Sequence, residues 1–403
     1  MTQQLKVLHL SWEWPPHMVG GLGRHVYHIT RNLVKVGVET AVISISLPGS
    51  PMSEVIDGVR VRRVDPFRFR STGFITWVLN FNEQMIEEAL RLYDEWGFDL
   101  IHVHDWLTGP AGIALKHLLR KPLIATIHAT EAGRRGGIYN EDQFVIHSWE
   151  WRTTYEAWKV IVCSNYMLNE VVNVHGVPRD KLVVIPNGID INYIDSVNPR
   201  PGFRDLYAMP SERIITFVGR LVYEKGPDLV LAAFRELLRW DWGLKLLIVG
   251  DGPMREYLME LAHEWGIWSK VYFTGRVDDE TLYSILKITD LAILPSRYEP
   301  FGITILEAMA TGVPVITTRV GGPDEIVRDW YNGVKVPPNN VEEIVRAAKI
   351  LLSNEELRMR IARNARESVL RWYTWDRIAR WTKRVYEDVL NEYRNSRWAS
   401  LWS

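Results

Sequence analysis

Two glutamates eight positions apart, Glu299 and Glu307, lie in the segment EPFGITILEAM and could act together on a sugar nucleotide. A turn at Gly302 follows a predicted strand, and a helix is predicted from about Ile303 to Met309. Glu299 precedes the turn, Glu307 lies inside the helix, and the first N–H groups of a helix have no intrahelical acceptor. These groups are suited to binding a sugar nucleotide, with Glu307 bonded to its ribose. The alternative is that Glu299 caps the helix and Glu307 is exposed to solvent.

A glycine-flanked loop after another predicted strand, FVGRLVYEKG (217–226), carries Arg220 and Lys225. Ligands bind at the carboxyl ends of strands in open parallel sheets, and two fixed cations there are suited to a diphosphate. The alternative is a pair of solvated surface charges. The sequence has no Walker lysine pattern, which argues against a P-loop nucleotidase.

A glycine loop follows the first predicted strand, in PPHMVGGLGRHV, where Gly20, Gly21 and Gly23 let the backbone approach a ligand closely. A helix predicted to begin near Gly23 directs its N–H groups and the positive end of its dipole at the same place. The alternative is a tight turn between strand and helix. The spacing is not the dinucleotide fingerprint, which needs G-x-G-x-x-G and an acid after the second strand.

Four polar residues end two further predicted strands: His104 and Asp105 in HVHDW, and His128 and Glu131 in IHATE. They are expected where a catalytic crevice would lie, and a functional role is predicted for His128. His102 alternates into the strand and is predicted to be a core histidine. Strand spacing places only two histidines together, so no metal site is predicted.

The elements that must position these residues are short apolar strands alternating with segments of helical period. Seven such strands precede residue 186 and six follow residue 212, which predicts two doubly wound α/β domains with parallel sheets. The irregular segment 186–203 separates them. The predicted domains are 1–190, 191–370 and a C-terminal helical segment 371–403, which needs another domain to pack against.

Composition excludes several classes of protein. The 403 residues are 47% hydrophobic and 24% charged, as in an ordinary globular protein of two or three domains. A net charge of −1 gives no electrostatic reason to expect a nucleic-acid partner. The single cysteine, Cys163, excludes an internal disulfide and is predicted to be an inert core thiol. No apolar run is long enough to span a membrane, no signal-peptide pattern is visible, and a cytoplasmic location is expected.

Taken together, EPFGITILEAMATGVPVI, the two glycine loops, HDW and IHATE resemble retaining GT-B glycosyltransferases of family 4 and the related bacterial and archaeal glycogen synthases. The resemblance covers nearly the whole chain. It implies two Rossmann-like domains facing a cleft, with a C-terminal helix that crosses back to the first. It also implies transfer of a hexose, with retained configuration and without a metal or cofactor, from ADP-glucose or UDP-glucose to an α-glucan.

The resemblance also implies residue roles. Glu299 would face the donor sugar, and His128 and Asp105 would lie near the transferred sugar. Trp106 and Glu131 are expected on the acceptor side, Trp106 as a stacking platform. The donor-binding residues would be Gly20, Gly21, Arg220, Lys225, Gly302, Ile303, Thr304, Ile305 and Glu307.

Other features leave the acceptor open. Glycogen synthases usually carry a lysine where this chain has Met18, so a small sugar, a sugar phosphate or a lipid is an alternative acceptor. For a lipid, the basic and aromatic segment 60–74 is a candidate surface, with a solvated loop as the alternative. A nucleotide-sugar-binding protein or an epimerase on the same fold is the alternative outside the transferases, and a homo-oligomer is possible. Of the eighteen tryptophans, Trp372, Trp375 and Trp381 are expected to be structural.

Overall fold

The chain forms two compact units in the computed structural model, which describes residues 4–68 and 70–400 and, at Ser400, the backbone alone. The first unit runs up to Gly188 and resumes at Trp375, and the second is Ile189–Thr374. The sequence placed these divisions at 190/191 and 370/371. Phe69, within the candidate lipid-binding segment 60–74, lies outside the described residues.

The strands are, in chain order, β1 (Lys6–Leu10), β2 (Glu39–Ile45), β3 (Ser53–Ile56), β4 (Val59–Val64), β5 (Leu100–His104), β6 (Leu123–Ile127), β7 (Lys159–Val162), β8 (Leu182–Val184), β9 (Arg213–Val218), β10 (Leu244–Val249), β11 (Val271–Gly275), β12 (Leu291–Leu294), β13 (Val315–Thr318) and β14 (Val334–Val336). The helices of four residues or more are α1 (Gly21–Lys35), α2 (Phe74–Trp96), α3 (Gly109–Leu119), α4 (Glu131–Arg135), α5 (Glu141–Glu156), α6 (Asn165–His175), α7 (Ile191–Ser196), α8 (Pro227–Trp240), α9 (Arg255–Glu264), α10 (Asp279–Lys287), α11 (Ile303–Ala310), α12 (Gly321–Ile326), α13 (Val341–Ser353), α14 (Glu355–Trp372), α15 (Trp375–Arg394) and α16 (Arg397–Ser400). No helix among them is long and apolar enough to cross a membrane.

The first unit is built on an eight-stranded sheet in the order β3-β4-β2-β1-β5-β6-β7-β8. Its central strands are buried along nearly their whole length, because helices cover both faces. All pairings are parallel except that of β3 with β4. The sequence did not predict β3, an antiparallel edge strand whose exposed, alternating residues SEVI lack the continuous apolar run of the other strands.

The second unit is built on a six-stranded sheet in the order β11-β10-β9-β12-β13-β14, with parallel pairing throughout. All six of its strands were predicted. The order reverses between β9 and β12, since β10 and β11 lie on one side of β9 and the later strands on the other. A ligand site is expected at such a point, beyond the carboxyl ends of the strands.

The C-terminal segment is divided between the two units. α13 and α14 belong to the second unit, whereas α15 returns to the first. The buried residues of α15 join the core formed by β1, α1, β5 and β6. Trp375 is buried there, and Trp381 packs against the same core. Trp372 does not belong to this set, because it ends α14 in the second unit and is 45% exposed.

Candidate functional site

The second unit places Arg220, Lys225 and Glu299 at the carboxyl ends of adjacent strands. β9 ends at Val218, before the loop that carries the two cations. β12 ends at Leu294, before the loop that carries Glu299. Because β9 and β12 pair in parallel, both loops leave the same edge of the sheet.

Lys225 and Glu299 are in direct contact, although 74 positions separate them. Lys225 Nζ donates to Glu299 Oε2 in an ion pair, and the glutamate side chain is largely buried. Gly226 follows at φ 68°, where a Cβ would collide with the carbonyl oxygen of Pro295, so glycine lets the loop approach the end of β12. Arg220 lies in the same loop with its side chain exposed.

The helix α11 begins immediately after Gly302, as the sequence predicted. Gly302 has φ 107°, a conformation that side chains rarely adopt, and it precedes the helical residues Ile303, Thr304 and Ile305. The N–H groups at the start of the helix, from Gly302 to Ile305, are therefore positioned three to six residues beyond Glu299. Negative charge is favoured at this end of a helix.

Glu307 lies one turn further along α11 and is buried. The hydroxyl of Tyr283 on α10 donates to its Oε1 at 3.2 Å. The segment 320–327, VGGPDEIV, lies in the same loop region, since the N–H of Gly322 donates to the carbonyl oxygen of Glu299 at 3.0 Å. A Cβ on Gly322 would collide with the backbone of Phe301, which explains the glycine. The second unit thus brings together Lys225, Glu299 and the start of α11.

In the first unit, Asp105 and His128 meet at the carboxyl ends of β5 and β6. Asp105 Oδ1 accepts a hydrogen bond from the backbone N–H of His128 at 2.7 Å. Burial raises the pKa of Asp105 to about 6, against the opposing effect of this N–H group. Burial lowers the pKa of His128 to about 3. At neutral pH His128 is a neutral imidazole, which can exchange hydrogen bonds with a sugar but carries no charge.

A chain of histidines continues from His128 into the core. His104 Nδ1 lies 3.4 Å from His128 Nε2, and His9 Nδ1 lies 3.2 Å from His104 Nε2. His102 is a core histidine, as predicted, and bonds Tyr386 and Thr126 at 2.7 Å each. These imidazoles are neutral, because burial, followed by neighbouring histidines, lowers the pKa of His9 to about 3 and those of His102 and His104 well below 6.5.

The sequence did not identify His9, His25 or Tyr386 as members of this cluster. His25 on α1 bonds Asn187 at 2.6 Å and packs edge-to-face on His128. Burial lowers its pKa well below the ordinary value, with neighbouring His128 adding to the effect. A polar residue within the apolar strand β1 was the available signal for His9. Tyr386 lies on α15, far along the chain from the histidines, and no local sequence pattern indicates that it belongs to this cluster.

The fold creates groups of three histidines that the sequence did not predict. One group is His9, His102 and His104, and another is His25, His104 and His128, each with ring nitrogens within 4.8 Å of one another. Imidazole nitrogens suit a transition metal. Most of these nitrogens, however, are already hydrogen-bonded within the cluster or to neighbouring side chains.

The two predicted acceptor-side residues are both buried. Trp106 is 6% exposed and packs edge-to-face on Phe74. This burial argues against Trp106 as a stacking platform, which needs an open ring face. Glu131 is 5% exposed, begins α4 and lies 3.6 Å from Arg134 and 3.5 Å from Arg135. Cys163 is buried, as expected for a core thiol.

The glycine loop contains a carboxylate that the sequence did not identify. Glu13 is 3% exposed, and its Oε2 accepts from the N–H groups of Val19, Gly20 and Gly23 at 2.8, 3.0 and 3.1 Å. The N–H groups of Gly20 and Gly23, which the sequence predicted to lie close to a ligand, are therefore directed at this side chain. α1 begins at Gly21, two residues earlier than predicted, so Gly21 remains at its N-terminal end. Gly23 lies against Glu13, which a Cβ would displace.

Comparisons with known proteins agree with this geometry. Residues 204–368 match the family described as glycosyl transferases group 1, and residues 19–193 match glycosyltransferase family 4. An uncharacterised glycosyltransferase of Methanocaldococcus jannaschii is 40% identical, with 95% of this chain and 98% of that protein covered. A glycogen synthase of Mycobacterium tuberculosis is 35% identical, with 95% and 94% covered.

Solved structures show the same fold. Sucrose-phosphate synthase of Thermosynechococcus elongatus has a TM-score of 0.84 at 23% identity, covering 96% of this chain and all of that one. An Anabaena protein solved with UDP and glucose has a TM-score of 0.78 at 19% identity, covering 95% of this chain and all of its own. Two parallel-sheet units with these relatives identify the fold as GT-B. The chain belongs to the glycosyltransferases, with a family 4 domain in its first half and a group 1 domain in its second.

Proposed function

We propose that this chain is a retaining hexosyltransferase that moves glucose from ADP-glucose or UDP-glucose to an α-glucan. The observation that carries the donor half is the pairing of Lys225 with Glu299 beside the N-terminal end of α11. The acceptor half is supported by the glycogen synthase that is 35% identical over nearly the whole chain.

The second unit would bind the donor nucleotide. When the bond to the sugar lengthens, negative charge develops on the departing diphosphate. Arg220, Lys225 and the N–H groups of Gly302, Ile303 and Thr304 can stabilise that charge by hydrogen bonds and positive potential. The N–H of Ile305 already donates to the carbonyl oxygen of Gly302 at 3.1 Å. Buried Glu307 would bind the ribose. We infer that these groups make a metal unnecessary for the transfer itself.

Glu299 would act at the donor sugar. Its carboxylate contacts Lys225, one of the proposed phosphate ligands, in an ion pair. A retaining glycosidase uses two carboxylates about 5 Å apart. Glu299 has no such partner among the predicted catalytic residues of its unit, which favours attack from the leaving-group side, where the departing phosphate takes the proton of the acceptor.

The first unit would contribute His128 and Asp105. His128 is neutral at physiological pH and can exchange hydrogen bonds with a hydroxyl of the transferred sugar. Asp105 bonds the backbone N–H of His128, so we assign it the role of a positioning residue. Glu131, the first residue of α4, remains a proposed acceptor-side residue.

A small acceptor is the second candidate. A D-inositol 3-phosphate glycosyltransferase of Nocardia farcinica is 29% identical, with 94% of this chain and 87% of that protein covered. Met18, at a position where glycogen synthases usually carry lysine, also favours this alternative. The two candidates differ only in the acceptor.

A matrix of donors and acceptors separates them. ADP-glucose, UDP-glucose and GDP-mannose would each be incubated with glycogen, maltoheptaose, inositol phosphate, fructose 6-phosphate and a lipid acceptor, and release of nucleoside diphosphate would be measured. We expect release with a glucose donor and an α-glucan, at a rate that Mg²⁺ and Mn²⁺ do not raise. Release with a small acceptor and none with glycogen would overturn the glucan proposal.

A further inference from the structure

A second group of ligand-type side chains lies in the first unit, outside the residues assigned to catalysis. His147 and Glu150 are one turn apart on α5, so they share a face of the helix. His175 is the last residue of α6, a helix that packs against α5. The imidazole rings of His147 and His175 are 4.8 Å apart between centroids.

The three side chains present one ligand atom each at distances that a small metal ion spans. His175 Nε2 lies 3.4 Å from Glu150 Oε2, and all three ligand atoms lie within 4.8 Å of one another. Two ligands of a tetrahedral ion, each bound at about 2.0–2.1 Å, are separated by about 3.3 Å. The closest pair already has that separation.

The polar atoms of the group lack hydrogen-bond partners within the described part of the chain. They are His147 Nδ1, Glu150 Oε2 and both ring nitrogens of His175. Glu150 is 2% exposed and His175 is 6% exposed, whereas His147 is only half-buried. An unpartnered buried polar atom costs roughly 1–3 kcal/mol, so four of them in one place point to a missing ligand.

We propose that His147, Glu150 and His175 bind a divalent transition-metal ion of the zinc type, with a water molecule as the fourth ligand. Two imidazoles and one carboxylate are the donor set that such ions favour, whereas Mg²⁺ favours oxygen ligands alone. The half-buried His147 provides the route of entry from solvent.

The ionisation of the group agrees with this assignment. Burial raises the pKa of Glu150 to about 8 and lowers the pKa of His175 to about 4, even though nearby Glu170 acts to raise the latter. The protein alone therefore holds a neutral imidazole beside a carboxylate that is costly to ionise. A divalent cation stabilises the ionised carboxylate and leaves the imidazole neutral, as a ligand must be.

The metal would have a structural effect on the neighbouring helix. Glu150 Oε1 accepts a hydrogen bond from the backbone N–H of Glu131 at 2.8 Å. An ion on Oε2 would hold this carboxylate in place and thereby fix the start of α4. The site is thus independent of the proposed donor-binding residues, which all belong to the second unit or to the glycine loop.

The test is metal binding by the untagged, full-length protein after treatment with a chelator and dialysis. Calorimetric titration should show one equivalent of Zn²⁺ bound, Co²⁺ should give the visible absorption of a tetrahedral site, and Mg²⁺ should not bind. At Zn²⁺ well above its Kd, the Tm should rise by about 5 °C. His147→Gln and His175→Gln should abolish binding, and His117→Gln, an exposed histidine beside Glu156, should keep it.

Two outcomes would overturn the proposal. One is the absence of stoichiometric Zn²⁺ binding by the wild-type protein. The other is unchanged binding by His147→Gln, a half-buried position at which the variant should remain folded even if His175→Gln does not. A further variant, His104→Gln, tests the buried histidines near His128, because His104 belongs to both groups of three histidines there. Loss of Zn²⁺ binding in that variant alone would place the metal there instead.

Discussion

The ion pair of Lys225 and Glu299 is the residue-scale feature on which the donor assignment depends. If Lys225 binds the diphosphate as proposed, Lys225→Met removes one charge-assisted hydrogen bond, a contribution of about 1.5–3 kcal/mol. The Kd for UDP or ADP should therefore rise by about tenfold or more in calorimetry. Lys245→Met is the matched control, because Lys245 lies at the amino end of β10, where it donates to Ser269. Equal affinities for wild type and Lys225→Met would remove the lysine from the donor site.

The variant Glu299→Gln distinguishes a role of Glu299 in the transfer reaction from a role in binding the nucleotide. Glutamine keeps the size of the side chain and an oxygen that can accept from Lys225, but it loses the charge. We expect kcat to fall by about a hundredfold or more, which corresponds to about 2.7 kcal/mol at the transition state. The Kd for the nucleoside diphosphate should change by only a few fold. Near-normal turnover would exclude Glu299 from the reaction.

At this scale the sequence correctly located residues that follow the end of a single strand. Lys225, Glu299 and Glu307 each follow a strand at a glycine or proline turn, so local pattern was sufficient to place them. Glu13 and His9 were missed because their partners come from other segments: three loop N–H groups for the first and the ring of His104 for the second. The proposed metal ligands on α5 and α6 were missed for the same reason.

At the scale of elements, the start of α11 depends on the conformation of Gly302. At φ 107° an alanine is strained, by about 1–3 kcal/mol, and its Cβ would lie 3.0 Å from Ile305 Cδ1. Gly302→Ala should tilt the first turn and raise the Kd for UDP or ADP. Gly312→Ala is the control, since Gly312 follows the other end of α11 at φ 81° with no atom within 4 Å of the added Cβ. Equal effects of the two variants on nucleotide binding would contradict this role.

The elements themselves were largely predictable from the sequence. All six strands of the second sheet, and every strand of the first except β3, are apolar runs between helix-length segments. β3 was not predicted because an edge strand need not be apolar on both faces. The end of α14 was also misjudged, since Trp372 and Trp375 are close in sequence but belong to different units, and the pattern of apolar residues does not mark that change.

At the scale of the whole molecule, the buried histidines predict how stability depends on pH. Their pKa values are lowered in the folded state, so below pH 6.5 the unfolded chain binds more protons and the folded state loses stability as the pH falls toward about 3. Each contributes up to about 1.4 kcal/mol per pH unit. The raised pKa values of Asp105 and Glu150 have the opposite effect on stability, but the buried histidines are more numerous than these two carboxyl groups.

Calorimetry should therefore show a Tm that falls by about 5–10 °C between pH 7.5 and 5.5. His9→Gln should reduce this dependence, because one fewer proton is taken up on unfolding. A Tm that is constant over this range would show that the cluster is accessible to protons in the folded protein.

The stereochemistry of transfer tests the central claim most directly. Wild-type protein would be incubated with an α-linked nucleoside diphosphate glucose and maltoheptaose, and the new glycosidic linkage would be observed by proton NMR at early times. The account predicts an α linkage, formed in step with release of the nucleoside diphosphate and absent with Glu299→Gln. A β linkage would contradict retention, and release of diphosphate without any new linkage to the glucan would contradict the proposed acceptor.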